Sequence, residues 1–297
     1  MMKCKCEGDE IRLCYKEDID RIRTQYHHEL SSHAFASLYL WRKQMKLTLY
    51  LEEDMFAVKS RWRGKNTWFF PCGNESSILD FLEKHKKEDF AICYARKQDI
   101  QLIERHFPNE FSFFLDEASS EYIYEKEEHR ILYGKNYANL RTQIHKVEKE
   151  HSLRTALLTE ETLADAFDVI RNWSKKELKI SDNVLKLGDG EIDEEALQLF
   201  QELDISGVVV YMNEEPYAIA AGYPLSENTY DLFLAKEKER ISGLAYYTKR
   251  EFFLSLPQNY QYINIEEDLG IEGLRRMKKN LNPIYMNEIW EAIRCQK

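Results

Sequence analysis

Glycine and proline are scarce, 11 and 6 residues in 297, which excludes collagen-like repeats and a fold assembled from glycine-rich turns. Long apolar runs are missing as well. The longest stretches, Ile205 to Met212 and Tyr217 to Tyr223, are strand-sized, well short of the roughly 18 residues of a membrane-spanning helix. Histidine stops at His151, so a Ser-His-Asp arrangement in the second half is excluded. No HExxH, paired Cys-x-x-Cys or EF-hand spacing occurs, and no metal is expected. Positive charge is in deficit: 42 Lys and Arg face 52 Asp and Glu, a net charge of -10. A dispersed polybasic contact with nucleic acid or anionic lipid is therefore disfavoured, although a local basic patch is compatible with the total.

What is present is a composition 43% apolar and 13% aromatic, enough for packed cores, so disorder is excluded as the main state. The length suits two domains of about 150 residues each. The lead MMKCKCEGDEIRLC is charged and has no apolar centre, unlike a secretory signal, so a cytoplasmic location is expected. Cys4, Cys6 and Cys14 cluster there without a fourth ligand at sensible spacing, and free thiols are the expectation.

In the first half, Leu47 to Leu51, Met55 to Ser60, Thr67 to Phe70, Phe90 to Tyr94 and Phe111 to Leu115 read as strands. Two helices lie among them: Ile78, Leu79 and Leu82 after a serine cap, and Ile100, Ile103 and Phe107 before Pro108. The pattern changes around DEASSEYIYE, placing a boundary that gives domains 1–120 and 121–297. Helical stripes follow at Tyr137, Leu140, Ile144 and Val147, at Leu163, Ala166, Phe167 and Ile170, and at Leu197, Phe200 and Leu203. The charged stretch ending in LGDGEID reads as a loop. Gly207 to Met212, Tyr217 to Tyr223 and Thr229 to Ala235 read as an antiparallel meander. A helix from Ile241, a strand Gln261 to Ile265, a helix in EEDLGIEGLRRMKKN and a strand Ile284 to Met286 close the chain. Strands and helices mixed in this way define an α/β or α+β protein.

Two segments carry chemistry. Arg240-Ile-Ser242-Gly243-Leu-Ala245 directly follows a strand and opens a helix, a junction whose unpaired N–H groups suit a pyrophosphate, with Gly243 letting the backbone approach. The other reading of Gly243 and Ala245 is close packing of the helix. Asn264, Glu266 and Glu267 lie at and beyond a strand end, where a carboxylate can take a proton from an amine that attacks an acyl carbonyl. Glu266, Glu267 and Asp268 also suit a helix start, as Arg275, Arg276, Lys278 and Lys279 suit its end.

The segments YINIEEDLGIEGLRRMKKNLNP and YIYEKEEHRILYGKNYANLRTQIHKV resemble a bacterial family homologous to the C-terminal domain of phosphatidylglycerol lysyltransferases, the DUF2156-like proteins. The resemblance spans nearly the whole chain. It implies two tandem GNAT folds, that is, Gcn5-related acyltransferase folds with largely antiparallel mixed sheets flanked by helices. It also implies transfer of an acyl or aminoacyl group to an amine or hydroxyl acceptor. Asn264, Glu266 and Glu267 are the implied catalytic group, and Lys135, Asn136 and Arg141 match the family's basic, asparagine-rich helix as substrate-binding residues. Arg240, Ser242, Gly243 and Ala245 would hold coenzyme A or an acyl-CoA donor; charged tRNA is the competing donor. Leu140, Thr142 and Ile265 stand where the family has polar residues, which motivates a third reading, a binding module that keeps the fold without turnover. No tyrosine lies between Tyr262 and Tyr285, so the acid that protonates the leaving group has no candidate.

Overall fold

The computed structural model describes residues 6–62, 65–85, 91–180 and 184–295. Cys4, Phe90 and residues 181–183 lie outside them. The chain divides into two compact units, one of Met1–Glu121, Glu267–Leu274 and Met286–Lys297, the other of Tyr122–Glu266 and Arg275–Tyr285.

Unit one runs β1 (Cys6–Glu10), α1 (Lys16–Gln25), α2 (Phe35–Trp41), β2 (Thr48–Leu51), β3 (Met55–Trp62), β4 (Lys65–Phe69), β5 (Cys72–Gly73), α3 (Glu75–His85), β6 (Ala91–Ala95), α4 (Lys97–His106) and β7 (Phe111–Leu115). Asp99, the third residue of α4, accepts the Arg96 N–H at 2.8 Å and so closes the helix start. Ile78, Phe81 and Leu82 of α3 and Ile100 and Ile103 of α4 bury their stripes with Trp68 and Ile92 of the sheet. The sheet order is β1-β2-β3-β4-β6, then a strand from the far end of the chain, Trp290–Arg294, then β7, with β5 paired to β3. Two segments expected in the second domain, 267–274 and 286–297, thus belong to the first unit. Trp290–Arg294 explains the second of these: it fills the slot between β6 and β7, antiparallel to both. Its alternation fits the slot, with Ala292 fully buried in the core and Ile293 44% exposed on the other face.

Unit two contains β8 (Glu121–Glu125), α5 (Lys126–Ile131), α6 (Ala138–Glu150), β9 (Leu153–Leu157), α7 (Leu163–Ile180), α8 (Val184–Gln198), β10 (Ser206–Met212), β11 (Glu215–Gly222), β12 (Thr229–Asp231), β13 (Leu234–Glu237), α9 (Leu244–Ser255), β14 (Tyr262–Asn264), α10 (Glu272–Asn280) and β15 (Tyr285–Asn287), with β8, α10 and β15 crossing its limits; Trp290–Arg294 is β16. LGDGEID is helical, not a loop. A Cβ at Gly190 would stand 2.2 Å from Ser174 Oγ, so this glycine lets α8 lie close against α7. One sheet is the antiparallel β13-β11-β10-β9, the other is β12-β14-β8-β15. Helices α7 and α9 both pack on the first sheet, and α6 packs on α9.

The strand expected over 229–235 is split in a way that matters for the site. Its first part, β12, pairs in parallel with β14, Asp231 opposite Asn264. Its second part, β13, turns away to pair antiparallel with β11. The last shared bond is from Leu232 N–H to the Asn264 carbonyl, 2.8 Å. Beyond it β13 and β14 belong to different sheets, leaving a fork. Gly222 makes the crossing possible, since a Cβ there would overlap the Asp231 carbonyl oxygen at 1.7 Å.

Candidate functional site

The fork gathers buried charge within unit two. Asp231 and Asn264 are both fully buried at its root, Lys249 of α9 is 7% exposed and Lys278 of α10 is 4% exposed. The Lys278 ammonium donates to the Ile265 carbonyl and lies 5.8 Å from the Tyr122 ring centroid. Glu237 ends β13. One of its carboxylate oxygens takes the Ile241 N–H; Oε2 is buried with no hydrogen-bond partner among the described residues.

Burial moves both members of this group toward neutrality. Desolvation raises the Glu237 carboxyl to about 7, against the opposing pull of Lys249, the Ile241 N–H and Arg240. Desolvation lowers the Lys249 ammonium to about 8, helped by the charge of Lys278 and opposed by Glu237. A carboxyl raised and an ammonium lowered toward neutral pH can serve as a base and an acid at the same pH.

The residues expected from sequence fall in several places. Asn264 accepts the Glu266 N–H at 2.7 Å through its side-chain oxygen, which holds Glu266 in a left-handed conformation, φ 53°; this amide shapes the turn. Glu266 is half-buried beside the fork. Glu267 belongs to unit one, where its charge adds to the burial that raises the Tyr94 hydroxyl well above the usual phenol. Arg141 donates to the carbonyls of Leu132 and Gly134, the latter at 2.8 Å, and closes the α5–α6 loop. Lys135 and Asn136 are exposed on that loop.

The turn before α9 carries the residues expected to hold the donor phosphates. Lys236 is neutralised by Asp189 at 3.4 Å and Asp193 at 3.7 Å, with its ammonium 3.7 Å from the Trp173 ring centroid. Lys238 pairs with Asp168. Gly243 is buried, and a Cβ there would come 2.1 Å from the Gln143 carbonyl oxygen of α6, so its missing side chain lets two helices meet. The Glu237 carboxylate already holds the Ile241 N–H where an anion would seek donors. Arg240 and Ser242 are exposed, and Arg240 makes no ion pair among the described residues.

Glu237, Lys249 and the role of Lys278 are not apparent from the sequence pattern. A signal existed for Lys249: it lies four residues before Phe253 and one after Thr248, inside the buried stripe of α9, where a lysine is rare unless it is used.

The chain is α+β, with mixed sheets flanked by helices and one predicted strand divided between two sheets. Residues 23–292 match the family model described as phosphatidylglycerol lysyltransferase, C-terminal, and the chain is a member of that family. Among solved structures it is similar to a conserved protein of unknown function from Bacteroides thetaiotaomicron, at 23% identity and TM-score 0.89, covering 97% of this chain and 99% of that one. It is similar to L-PGS from Bacillus licheniformis at 17% identity and TM-score 0.71, covering 99% and 95%. FemX aligns at 9% identity and TM-score 0.62, covering 97% of each chain. No curated protein matches the sequence.

Proposed function

We propose that this chain is a transferase that moves an acyl or aminoacyl group from an activated donor to an amine or hydroxyl acceptor at the fork of unit two. The observation that carries this reading is the half-buried Glu237 carboxylate and the buried Lys249 ammonium, which act on each other electrostatically and are both moved toward neutrality by desolvation, with Glu237 Oε2 free of hydrogen bonds among the described residues. Glu237 takes the acceptor proton as the acceptor lone pair attacks the acyl carbonyl. The bond from that carbonyl to the leaving atom breaks, and Lys249 gives the leaving atom a proton. Passage of the proton from Glu237 to Lys249 restores both groups. Glu266 at the edge of the fork orients the acceptor, and we read the two units as acyltransferase-type folds in tandem.

Of the donor classes, an aminoacyl ester such as charged tRNA is favoured over acyl-CoA, because Lys236 and Lys238 ahead of the turn are paired with carboxylates and Gly243 is closed against α6, which leaves Arg240 to meet a diphosphate. The test is a single-turnover assay of purified protein with lysyl-tRNA or acetyl-CoA, against phosphatidylglycerol vesicles or a soluble amine. Transfer from the aminoacyl ester is expected. Its rate should be bell-shaped in pH, rising as Glu237 ionises near 7 and falling as Lys249 deprotonates near 8. Glu237→Gln keeps an acceptor for the Ile241 N–H but should lower the rate by ~10²-fold and remove the acid limb. Transfer from acetyl-CoA alone would overturn the donor assignment, and an unchanged profile in Glu237→Gln would overturn the role of the pair. Absence of transfer from either donor would favour a binding module.

A further inference from the structure

The two edges of the unit-one sheet are guarded differently. At one end of the strand order stands β1, at the other β7. An edge strand offers a row of free N–H and C=O groups to any strand that comes alongside, and charges or a bulge usually block the approach. β1 has both: its sequence is CEGDE, and its register shifts between Glu7 and Asp9. β7 is FSFFL, with Ser112, Phe114 and Leu115 exposed. It has no charge, no proline and no break in its register with β16.

Which groups of β7 are free follows from its bonds to β16. Cys295 N–H donates to the Glu110 carbonyl at 2.9 Å, and Asp116 N–H to the Ile289 carbonyl at 2.8 Å. Bonded positions alternate in an antiparallel pair, so Ser112 and Phe114 face β16 while Phe111, Phe113 and Leu115 turn their N–H and C=O groups to the open edge. No other strand among the described residues pairs with them. On the face away from the core, Phe114 is 51% exposed, and Ile293, opposite Ser112 on β16, is 44% exposed.

We infer that β7 is the contact through which two copies of this chain join, antiparallel, across a two-fold axis at Phe113. That register pairs Phe111 with Leu115 of the second copy and Phe113 with its own equivalent, which uses every free group of the row. On the outer face Phe114 then stands opposite Ser112 of the second copy, whose small side chain leaves room for the ring against Ile293 of that copy. The match is made twice, as a two-fold interface requires. The ends are matched in charge: Glu110 meets Asp116 of the second copy, and Arg294, bonded to Glu110 at 2.7 Å, supplies the cation that these two acids need. The net charge of -10 does not decide the contact, because charges more than about 8 Å away are largely screened at physiological salt. A foreign strand would find the same main-chain row without this match of ring to serine and arginine to acid. Unit one alone supplies the contact, so it stands whether or not unit two transfers anything.

Sedimentation velocity of the full chain over a concentration series, with amide hydrogen exchange of β7, tests it. A concentration-dependent dimer is expected. The Phe113 and Leu115 amides should be slow to exchange only as it forms, whereas those of Ser112 and Phe114 are slow in the monomer as well. Leu115→Pro removes an N–H that no β16 carbonyl uses, so it should leave the monomer folded and weaken dimerisation by at least ~10-fold. Phe114→Lys, on the exposed face, should weaken it similarly with the monomer's melting curve unchanged. A monomer at every concentration overturns the inference, as does a dimer that both variants leave unaltered. Binding of a synthetic 109–117 peptide by a chain that stays monomeric would overturn it too, by assigning the edge to a foreign strand.

Discussion

Gly243→Ala tests which use of this glycine the fold makes. At φ +91° an alanine would sit in the left-handed region, and its Cβ would stand 2.1 Å from the Gln143 carbonyl oxygen, 2.7 Å from that carbonyl carbon and 3.4 Å from Val147 Cγ1. The backbone penalty alone is about 1–2 kcal/mol. The overlap is with helix backbone, which gives way only if α6 and α9 part, and forced separation of packed elements costs about 1–3 kcal/mol more. The sum is roughly 2–5 kcal/mol, or a fall in Tm of about 4–20 °C if unit two melts as one domain of its size. Gly134→Ala supplies the internal control: φ there is +86° but nothing lies within 4 Å of the added Cβ, so it bears the backbone cost without the overlap. Urea unfolding followed by circular dichroism measures both. Gly243→Ala should be the less stable by about 1–3 kcal/mol at unchanged m. Equal losses in the two variants would mean that α6 does not press on this turn, and the case against a diphosphate seat would lose its steric half.

Two further outcomes concern unit one. His33 donates from Nε2 to the Phe70 carbonyl at 2.8 Å, packs 3.9 Å from His28 between ring centroids, and is lowered by burial to about 3. The unfolded chain binds a proton at this histidine below pH 6.5 while the folded chain does not, so its contribution is complete above that pH and is lost as pH falls toward 3. A fall of about 1.4 kcal/mol per pH unit from this site is expected through that window; His33→Gln should flatten the slope of stability against pH, and an unaltered slope would remove His33 as its source. In β16, Ala292→Asp would bury an unpaired carboxylate in the core and should cost more than ~3 kcal/mol, whereas Ile293→Asp on the exposed face should cost under ~1 kcal/mol. Similar thermal melts for the two would contradict the seating of this strand between β6 and β7.

Features set by near neighbours along the chain are legible in the residues themselves. Phe111–Leu115 is a strand with the expected bounds, and the stripe of Leu140, Ile144 and Val147 is the buried face of α6. The family is legible too, in two segments that the match over 23–292 contains. What stays hidden depends on partners far along the chain. Nothing inside WEAIR says that its ladder partners are residues 91–95 and 111–115, and without those partners the first unit looks complete at residue 120. LGDGEID is helical despite its two glycines, and Gly190 lies where α8 meets Ser174 of the neighbouring helix, a contact its own letters do not show.

The site shows the same dependence more sharply. Lys236 and Glu237 are the last residues of β13 and Lys238 follows directly, so alternation sends Glu237 to the face opposite the two lysines. The lysines meet Asp168, Asp189 and Asp193 from α7 and α8, while Glu237 is within electrostatic reach of Lys249 from α9. Read as a run, KEKER is a basic approach to a helix start and argues for a phosphate. Divided between two faces, it is a neutralised pair on one side and a half-buried carboxylate on the other. The period of the strand is available from the letters, but the identity of what faces each side is not, and it is that identity which moves the candidate chemistry from the turn at Gly243 to the fork below it.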